Sequence, residues 1–425
     1  MNEFVEYGIK LVFKRILIIL KNFFKIDFTY FAKGAFWLLV AQIAGLAGSM
    51  MITWMMANFI EKSTYGYYQY VLAIVNILII ASLPGMNISA LRSASRGFEG
   101  TLKKVFKIKI KWGFIGCLVS LLIAYYYSYH NRELAITFFV SSFFIPFLDT
   151  TRVPISLLAA RKLFNLESAI LNYLINISIV LVVIAGLIFS KSLLAIVSFY
   201  LIANIGVRWV AGIYIEKRYK PNNITEDDAI RHGWHLSLIQ AIVSISGNIG
   251  NIGLAHFLGN ISLAVYAIAI GPIEQIRSLI GINDLLYMPK FSNDDWEIPK
   301  FREFFIKIAP FVVVLVAVTA CYIFLIPYLF KYIFPKYMDA VFYSQLYSIM
   351  LVPSAIGMVL NNIIKSKMLI KEQHLINYLN SALSFVLNIP AIYFFGIIGL
   401  IFATIINKFI EVSVLSYMLF ANKKH

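Results

Sequence analysis

Charged side chains stand inside long apolar segments of this chain, at a spacing that lets opposite charges meet. Three pairs are each three residues apart: Asp149–Arg152, Glu274–Arg277 and Lys408–Glu411. Residues three apart share a helix face. Burying a charge at bilayer depth costs roughly 2.5–3.5 kcal/mol on insertion scales, so such residues usually face a partner, water or a ligand. The first two pairs could either neutralise themselves or serve a binding site, whereas self-neutralisation is favoured for Lys408–Glu411.

Four arginines are predicted at similar depth. Arg152, Arg208 and Arg277 come late in segments that run towards the cytoplasm, and Arg92 ends another segment on that side. A guanidinium group binds two phosphate oxygens at once, so the four could form a cationic vestibule for a phosphorylated ligand. The alternative is that Arg92 and Arg208 extend to the lipid headgroups, which is favoured for Arg208.

The elements that must position these charges are membrane-spanning helices. The composition is 60% hydrophobic and 14% charged, which is too apolar for an ordinary soluble surface. A spanning helix needs about 20 apolar residues. The predicted spans are 34–57, 66–91, 112–130, 134–160, 166–189, 192–214, 233–257, 262–283, 304–327, 341–364, 375–396 and 397–420.

Basic residues between these spans are distributed unevenly. With the N-terminus in the cytoplasm, 28 of the 37 Lys and Arg residues fall in cytoplasmic segments and five in outer loops. This bias predicts that both termini are cytoplasmic. It also explains the net charge of +16 without a nucleic-acid partner.

An internal repeat divides the chain. A shift of 198 residues places Gln42 on Gln240 and Phe59 on Phe257, and the order of spans and basic loops recurs. Six spans is an even number, so both halves have the same orientation. We predict an all-α protein with two parallel six-helix bundles around a central cavity. The predicted units are an amphipathic basic segment (1–33), an N-terminal bundle (34–215), a cytoplasmic linker (216–232) and a C-terminal bundle (233–425).

The seventh span has a polar face with three amides, Gln240, Asn248 and Asn251. Buried amides need hydrogen-bond partners. A wet cavity that holds sugar hydroxyl groups would supply them, so these residues are candidate ligands for a carbohydrate. The glycines on the same span are expected to allow close helix packing instead.

Several function classes are disfavoured. The chain has no GxxxxGK[ST] and no HExxH motif, and its two cysteines lie inside predicted spans, so we predict no P-loop, metal site, cofactor or disulfide framework. The predicted outer loops are short, which makes a membrane enzyme such as a polysaccharide polymerase the least favoured reading.

A loose motif covers the first hundred residues. It consists of Lys33-Gly34-Ala35-Phe36-Trp37, Tyr65-Gly66-Tyr67-Tyr68, Pro84-Gly85-Met86-Asn87 and Leu91-Arg92. This stretch resembles the start of bacterial polysaccharide flippases of the Wzx type, which belong to the MOP superfamily together with the MATE drug exporters and the lipid II flippase. Twelve spans in a six-plus-six parallel repeat is also the architecture of that superfamily.

The resemblance implies a substrate and a location. The substrate would be an oligosaccharide unit on undecaprenyl diphosphate, moved from the inner to the outer leaflet of the bacterial inner membrane during O-antigen or related polysaccharide assembly. The polymerase and chain-length machinery would be partners. Arg152 and Arg277 best fit the family's cationic cavity, and Arg92 matches the motif arginine.

A cation-coupled small-molecule exporter of the MATE type is the alternative. Asp149 and Glu274 would then be the ion-coupling residues. The first span lacks the acidic residue that many MATE exporters carry, and basic groups outnumber acidic groups inside the spans. Both features disfavour a cationic substrate.

Overall fold

The computed structural model describes residues 45–161, 163, 166–281, 301–367 and 369–420. Within these ranges the chain is built from helices and short connections, with no strand. The all-α prediction is therefore confirmed. The predicted amphipathic segment 1–33, Gln42 and the beginning of the first span lie outside the described residues.

The first half contains nine α-helices in the described ranges. They are α1 (45–59), α2 (Lys62–Leu78), α3 (Gly85–Ser95), α4 (Gly100–Ser128), α5 (Arg132–Ser142), α6 (Ile145–Leu148), α7 (Ser156–Ala160), α8 (Leu166–Phe189) and α9 (Leu193–Tyr219). Two 3-10 turns, Ile79–Ser82 and Thr150–Arg152, join α2 to α3 and α6 to α7.

The second half contains six α-helices in the described ranges. They are α10 (Asp227–Leu258), α11 (Asn260–Gly281), α12 (Phe301–Ile333), α13 (Val341–Ser348), α14 (Leu351–Ser366) and α15 (Ile370–Phe420). A 3-10 segment, Pro335–Ala340, precedes α13. The long α15 contains Gly396, whose φ of 62° and ψ of −138° break the helix between the last two predicted spans.

Length and apolar composition make this a multi-pass membrane protein. Seven helices of the described chain are long and apolar enough to span a bilayer, and two bent pairs raise the number to nine. The bends are 51° after α5 and 45° after α13, inside the predicted spans 134–160 and 341–364. With the break of α15 at Gly396, the short apolar stretch of α8 and the helix at 45–59, the twelve-span arrangement is consistent with the structure.

The second predicted span is broken where its sequence contains Pro84 and Gly85. Leu83 adopts a left-handed conformation with a φ of 57° before Pro84. This conformation costs a non-glycine residue of order 1–3 kcal/mol, so surrounding packing must hold it. A Cβ atom on Gly85 would lie 2.2 Å from the backbone nitrogen of Ser237. The break therefore brings α3 against α10, where only glycine fits.

Two ends of the bundle can be distinguished by their loops. The basic face is the end that contains the loop 96–99 and the linker 220–226, which are joined by the ion pair Arg96–Glu226. The hairpin face is the opposite end, where the turn between α1 and α2 meets Pro335–Ala340. The main hydrophobic core runs between these ends and contains residues of both halves, among them Val71, Phe138, Ile268 and Phe330.

Candidate functional site

A buried ion pair lies within the first half. Lys109 of α4 donates a hydrogen bond of 2.5 Å to Asp149 Oδ2 and one of 2.8 Å to Asn87 Oδ1. Asn87 Nδ2 in turn donates to Asp149 Oδ2 at 3.0 Å. The Lys109 side chain is 0% exposed and that of Asp149 is 12% exposed. The three residues satisfy one another across α3, α4 and the broken fourth span.

This arrangement corrects the predicted pairing of Asp149 with Arg152. The prediction assumed one continuous helix, but α6 ends at Leu148 and the chain continues as the 3-10 turn Thr150–Arg152. Asp149 therefore faces α4, and Arg152 is exposed. The count of basic residues also assigned Lys109 to a cytoplasmic segment, whereas its ammonium group is enclosed by the helices.

Further cations surround this pair. Arg152 lies close enough to Lys109 and to Arg208 for the like charges to interact. Arg208 is partly buried and donates to Asn204 Oδ1 at 2.8 Å. We name Lys109, Asp149, Arg152 and Arg208 the N-half cluster. It contains three cations and one carboxylate, so it carries a net positive charge that attracts anions.

The second half contains a compact polar triad. Arg277 Nη1 lies 2.5 Å from Glu274 Oε1, which is the pairing that the spacing predicts. Tyr347 of α13 donates to the same carboxylate oxygen at 2.5 Å. The Glu274 side chain is 41% exposed and that of Arg277 is 19% exposed. Arg277 Nε is buried and has no hydrogen-bond partner among the described residues, which leaves a donor for a ligand or water.

The two residues of the third predicted pair, Lys408 and Glu411, bind each other. Lys408 Nζ contacts both carboxylate oxygens of Glu411 at 2.9 and 2.8 Å. Both side chains are at least 86% buried, with exposures of 14% and 11%. This geometry is that of a pair that neutralises itself within the helix.

The polar face of α10 borders open space. A Cβ atom on Gly247 would meet nothing within 4 Å, whereas one on Gly250 would touch Leu400. Asn248 Nδ2 donates to Ser244 O at 2.8 Å. In the part of the chain that the structure describes, Gln240 and Asn251 are partly exposed and their side chains form no hydrogen bond. The three predicted amides thus keep hydrogen-bonding capacity for another molecule.

Arg92 is placed differently from the other predicted arginines. It lies in the last turn of α3 and is exposed. It forms no ion pair with any described residue. This position at the basic face agrees with the alternative prediction, in which Arg92 extends to the lipid headgroups.

The hairpin face is sealed between the two halves. Lys62 pairs with Asp339 at 2.8 Å, and its ammonium group lies 4.9 Å from the ring centre of Tyr337. Asn58 exchanges hydrogen bonds with the second half, donating to Ile333 O at 2.8 Å and accepting from Lys336 Nζ at 2.6 Å. We call these contacts the hairpin seal.

Sequence reasoning missed Lys109, Asn87 and Tyr347. Lys109 follows a run of basic residues, and the predicted third span began only at residue 112. Its immediate neighbours are Ile108 and Ile110, and this apolar context was the available signal. Tyr347 comes from a distant segment, so only the fold places it beside Glu274.

Comparison with known proteins identifies the family and the fold of the chain. The family model described as polysaccharide biosynthesis protein matches residues 31–282. A search of curated sequences finds no match. Among solved structures, the lipid II flippase MurJ in an inward closed conformation is similar with a TM-score of 0.65, 13% identity and coverage of 91% of this chain and 87% of that chain.

Two other solved transporters have the same fold. A MATE protein in complex with MaD3S gives a TM-score of 0.59 at 13% identity and covers 92% of this chain and 97% of that chain. A MOP superfamily transporter from Pyrococcus furiosus gives 0.56 at 14% identity, with coverage of 91% and 94%. The chain therefore belongs to the polysaccharide biosynthesis protein family and has the fold of the MOP-superfamily transporters.

Proposed function

We propose that this protein is a flippase for oligosaccharide units linked to undecaprenyl diphosphate. It moves them from the cytoplasmic to the outer leaflet of the bacterial inner membrane for surface polysaccharide assembly, such as that of O-antigen. The N-half cluster is the observation that carries the proposal. A net positive charge on neighbouring spanning helices matches an anionic diphosphate better than a cationic drug.

The candidate ligands divide by chemistry. Arg152, Arg208 and Arg277 supply guanidinium groups for the diphosphate oxygens. Gln240, Asn248 and Asn251 supply amides for sugar hydroxyls. Arg92 at the basic face would meet the headgroup before it enters the bundle.

The hairpin seal supports an alternating-access cycle. With the basic face in the cytoplasm, as the distribution of Lys and Arg predicts, the described contacts close the outer end. Transport then requires the two halves to move apart at the hairpin face, so that Lys62 and Asp339 separate and become hydrated.

The exporter alternative meets a physical obstacle. Asp149 accepts from Lys109 and Asn87, and Glu274 accepts from Arg277 and Tyr347. A carboxylate that already has cationic partners attracts a second cation weakly. Glu274, whose side chain is 41% exposed, is the better candidate for ion coupling.

The test is the lipid-linked oligosaccharide pool of cells that lack this protein. We expect diphosphate-linked units to accumulate while surface polysaccharide disappears, and both changes to reverse when the gene is restored. An unchanged pool and a normal surface would contradict the proposal, and efflux of organic cations would then be measured.

A further inference from the structure

A cavity of about 410 Å³ opens on the side of the first half, near the basic face. It lies between the beginning of α4 and the end of α9, and Thr151 and Pro154 also line it. Its charged lining consists of Lys103, Lys107, Arg208 and Glu216. Three cations against one carboxylate give the cavity a net positive charge.

The cavity lies at the end of two lipid-facing stripes, which are rows of exposed apolar side chains on α4 and α9. On α4, Lys103 and Lys107 share a helix face with Phe114 and Leu118, which are 52% and 62% exposed. On α9, Arg208 and the 41% exposed Trp209 follow Ile202, which is 47% exposed. Apolar side chains exposed on spanning helices face acyl chains. The cavity therefore lies where the apolar stripes end and the charges begin.

Its aromatic wall is ordered by ring contacts. Trp209 packs edge-on against Phe106 at 6.0 Å and against Phe147 at 5.9 Å. Trp is enriched at membrane interfaces because its apolar ring and its N–H group suit the headgroup boundary. An aromatic wall of this kind is typical of residues at the level of lipid headgroups.

The two lysines are available for a ligand. Both are exposed, and neither forms an ion pair with a described residue. The adjacent Lys104 differs, because it pairs with Asp227 at 2.6 Å. Basic pockets between spanning helices on the cytoplasmic side bind anionic headgroups.

We propose that this cavity binds the phosphate headgroup of an anionic phospholipid from the cytoplasmic leaflet, with its acyl chains along the stripes of α4 and α9. The proposal uses the orientation given under the proposed function. The cavity shares Arg208 with the N-half cluster, so only Lys103 and Lys107 distinguish it from the proposed substrate site. Its volume of about 410 Å³ is at the small end of ligand pockets and suits a headgroup but no oligosaccharide unit.

The test is native mass spectrometry of the full-length protein with phosphatidylglycerol, phosphatidylcholine or undecaprenyl diphosphate added in detergent. The test variant is Lys103→Gln/Lys107→Gln. The matched control is Lys104→Gln/Lys217→Gln, which removes the same charge near the same face but alters no lining residue. Thermal unfolding of each variant checks that it is folded.

We expect the native protein to retain phosphatidylglycerol over phosphatidylcholine. The test variant should bind phosphatidylglycerol roughly 10- to 30-fold more weakly, since each lysine near an anionic surface contributes about 5-fold. The control should stay within about 2-fold of the native protein, since neither of its lysines lines the cavity.

Three outcomes would overturn the proposal. They are equal loss in both variants, no loss in either, and retention of undecaprenyl diphosphate in place of phosphatidylglycerol. Because purified protein is used, each outcome leaves the flippase proposal to its own test in cells. Loss of polysaccharide export with normal phospholipid selectivity in the test variant would likewise separate the two.

Discussion

Lys109 donates to Asp149 at 2.5 Å across two spans, and its side chain has no exposed surface. Breaking a buried ion pair by removing one partner costs about 3–5 kcal/mol, because the other charge remains buried without compensation. Lys109→Met should therefore lower the stability of the purified protein strongly. Lys109→Met/Asp149→Leu should recover most of the loss, since neither partner of the pair then remains as a buried charge without the other.

Thermal unfolding in detergent measures both variants. Comparing the two variants also separates a structural role of the Lys109–Asp149 pair from a role in transport. If the double variant is stable and still exports polysaccharide, the pair is structural, and the cationic function belongs to Arg152 and Arg208. A single variant as stable as the native protein would show that Lys109 is not needed to compensate Asp149.

The triad of the second half offers a matched comparison of membrane charge pairs. Glu274→Gln/Arg277→Gln should reduce polysaccharide export roughly 10- to 100-fold, the equivalent of one lost charge-assisted hydrogen bond to the substrate. Lys408→Gln/Glu411→Gln removes an equivalent pair that is closed on itself, so export should be nearly unchanged. Surface polysaccharide and membrane abundance are measured together, and equal effects in the two variants would refute a substrate role for Arg277.

The hairpin seal predicts a charge-swap result. Lys62→Asp places two acids together, so the closed state should lose about 0.2–1 kcal/mol, the value of an exposed ion pair. Ser49 of α1 is partly buried and accepts a hydrogen bond of 3.0 Å from Gln275 of the second half. Labelling of Ser49→Cys by an impermeant maleimide, with Cys117 and Cys321 replaced by Ala, should rise up to about 5-fold from the hairpin face. Lys62→Asp/Asp339→Lys should restore the low rate. An unchanged rate in the single variant would contradict the seal.

Acid should weaken the basic face through Glu99. Arg161 donates to both oxygens of Glu99 at 2.5 and 2.8 Å, and these hydrogen bonds lower the pKa of Glu99 below its ordinary value of 4.5. The folded-state pKa is thus below the unfolded one. The contribution to stability is complete above the unfolded value and is lost as pH falls through the folded value. Because glutamine does not titrate, Glu99→Gln should lose less stability than the native protein between pH 6 and pH 3, as measured by unfolding curves. Identical slopes for both proteins would contradict the assignment.

Apolar length was sufficient to predict the helical class and a twelve-span arrangement that is consistent with the structure, because bilayer thickness dictates the length of each span and the backbone must be hydrogen-bonded within it. The pairing of Asp149 was not predictable in the same way. Helical periodicity assumes an unbroken helix, and the break before Thr150 turned Asp149 towards Lys109 on another span. Tyr347 reaches Glu274 only through the packing of α13 on α11, which no local pattern encodes.

The family match and the predicted arginines are independent of one another. Residues 31–282 match the polysaccharide biosynthesis family, whereas the positions of Arg152, Arg208 and Arg277 rest on helical depth. Their roles remain predictions, and the variants above test them one region at a time.

The most direct measurement of the central claim is the leaflet location of the lipid-linked oligosaccharide in membrane vesicles from cells with and without this protein. An impermeant glycosidase reports the units on the outer surface of right-side-out and inverted vesicles. We predict that without the protein the units are cleaved only in inverted vesicles, and that restoring it makes them cleavable in right-side-out vesicles. Cleavage in right-side-out vesicles that lack the protein would contradict a flippase function.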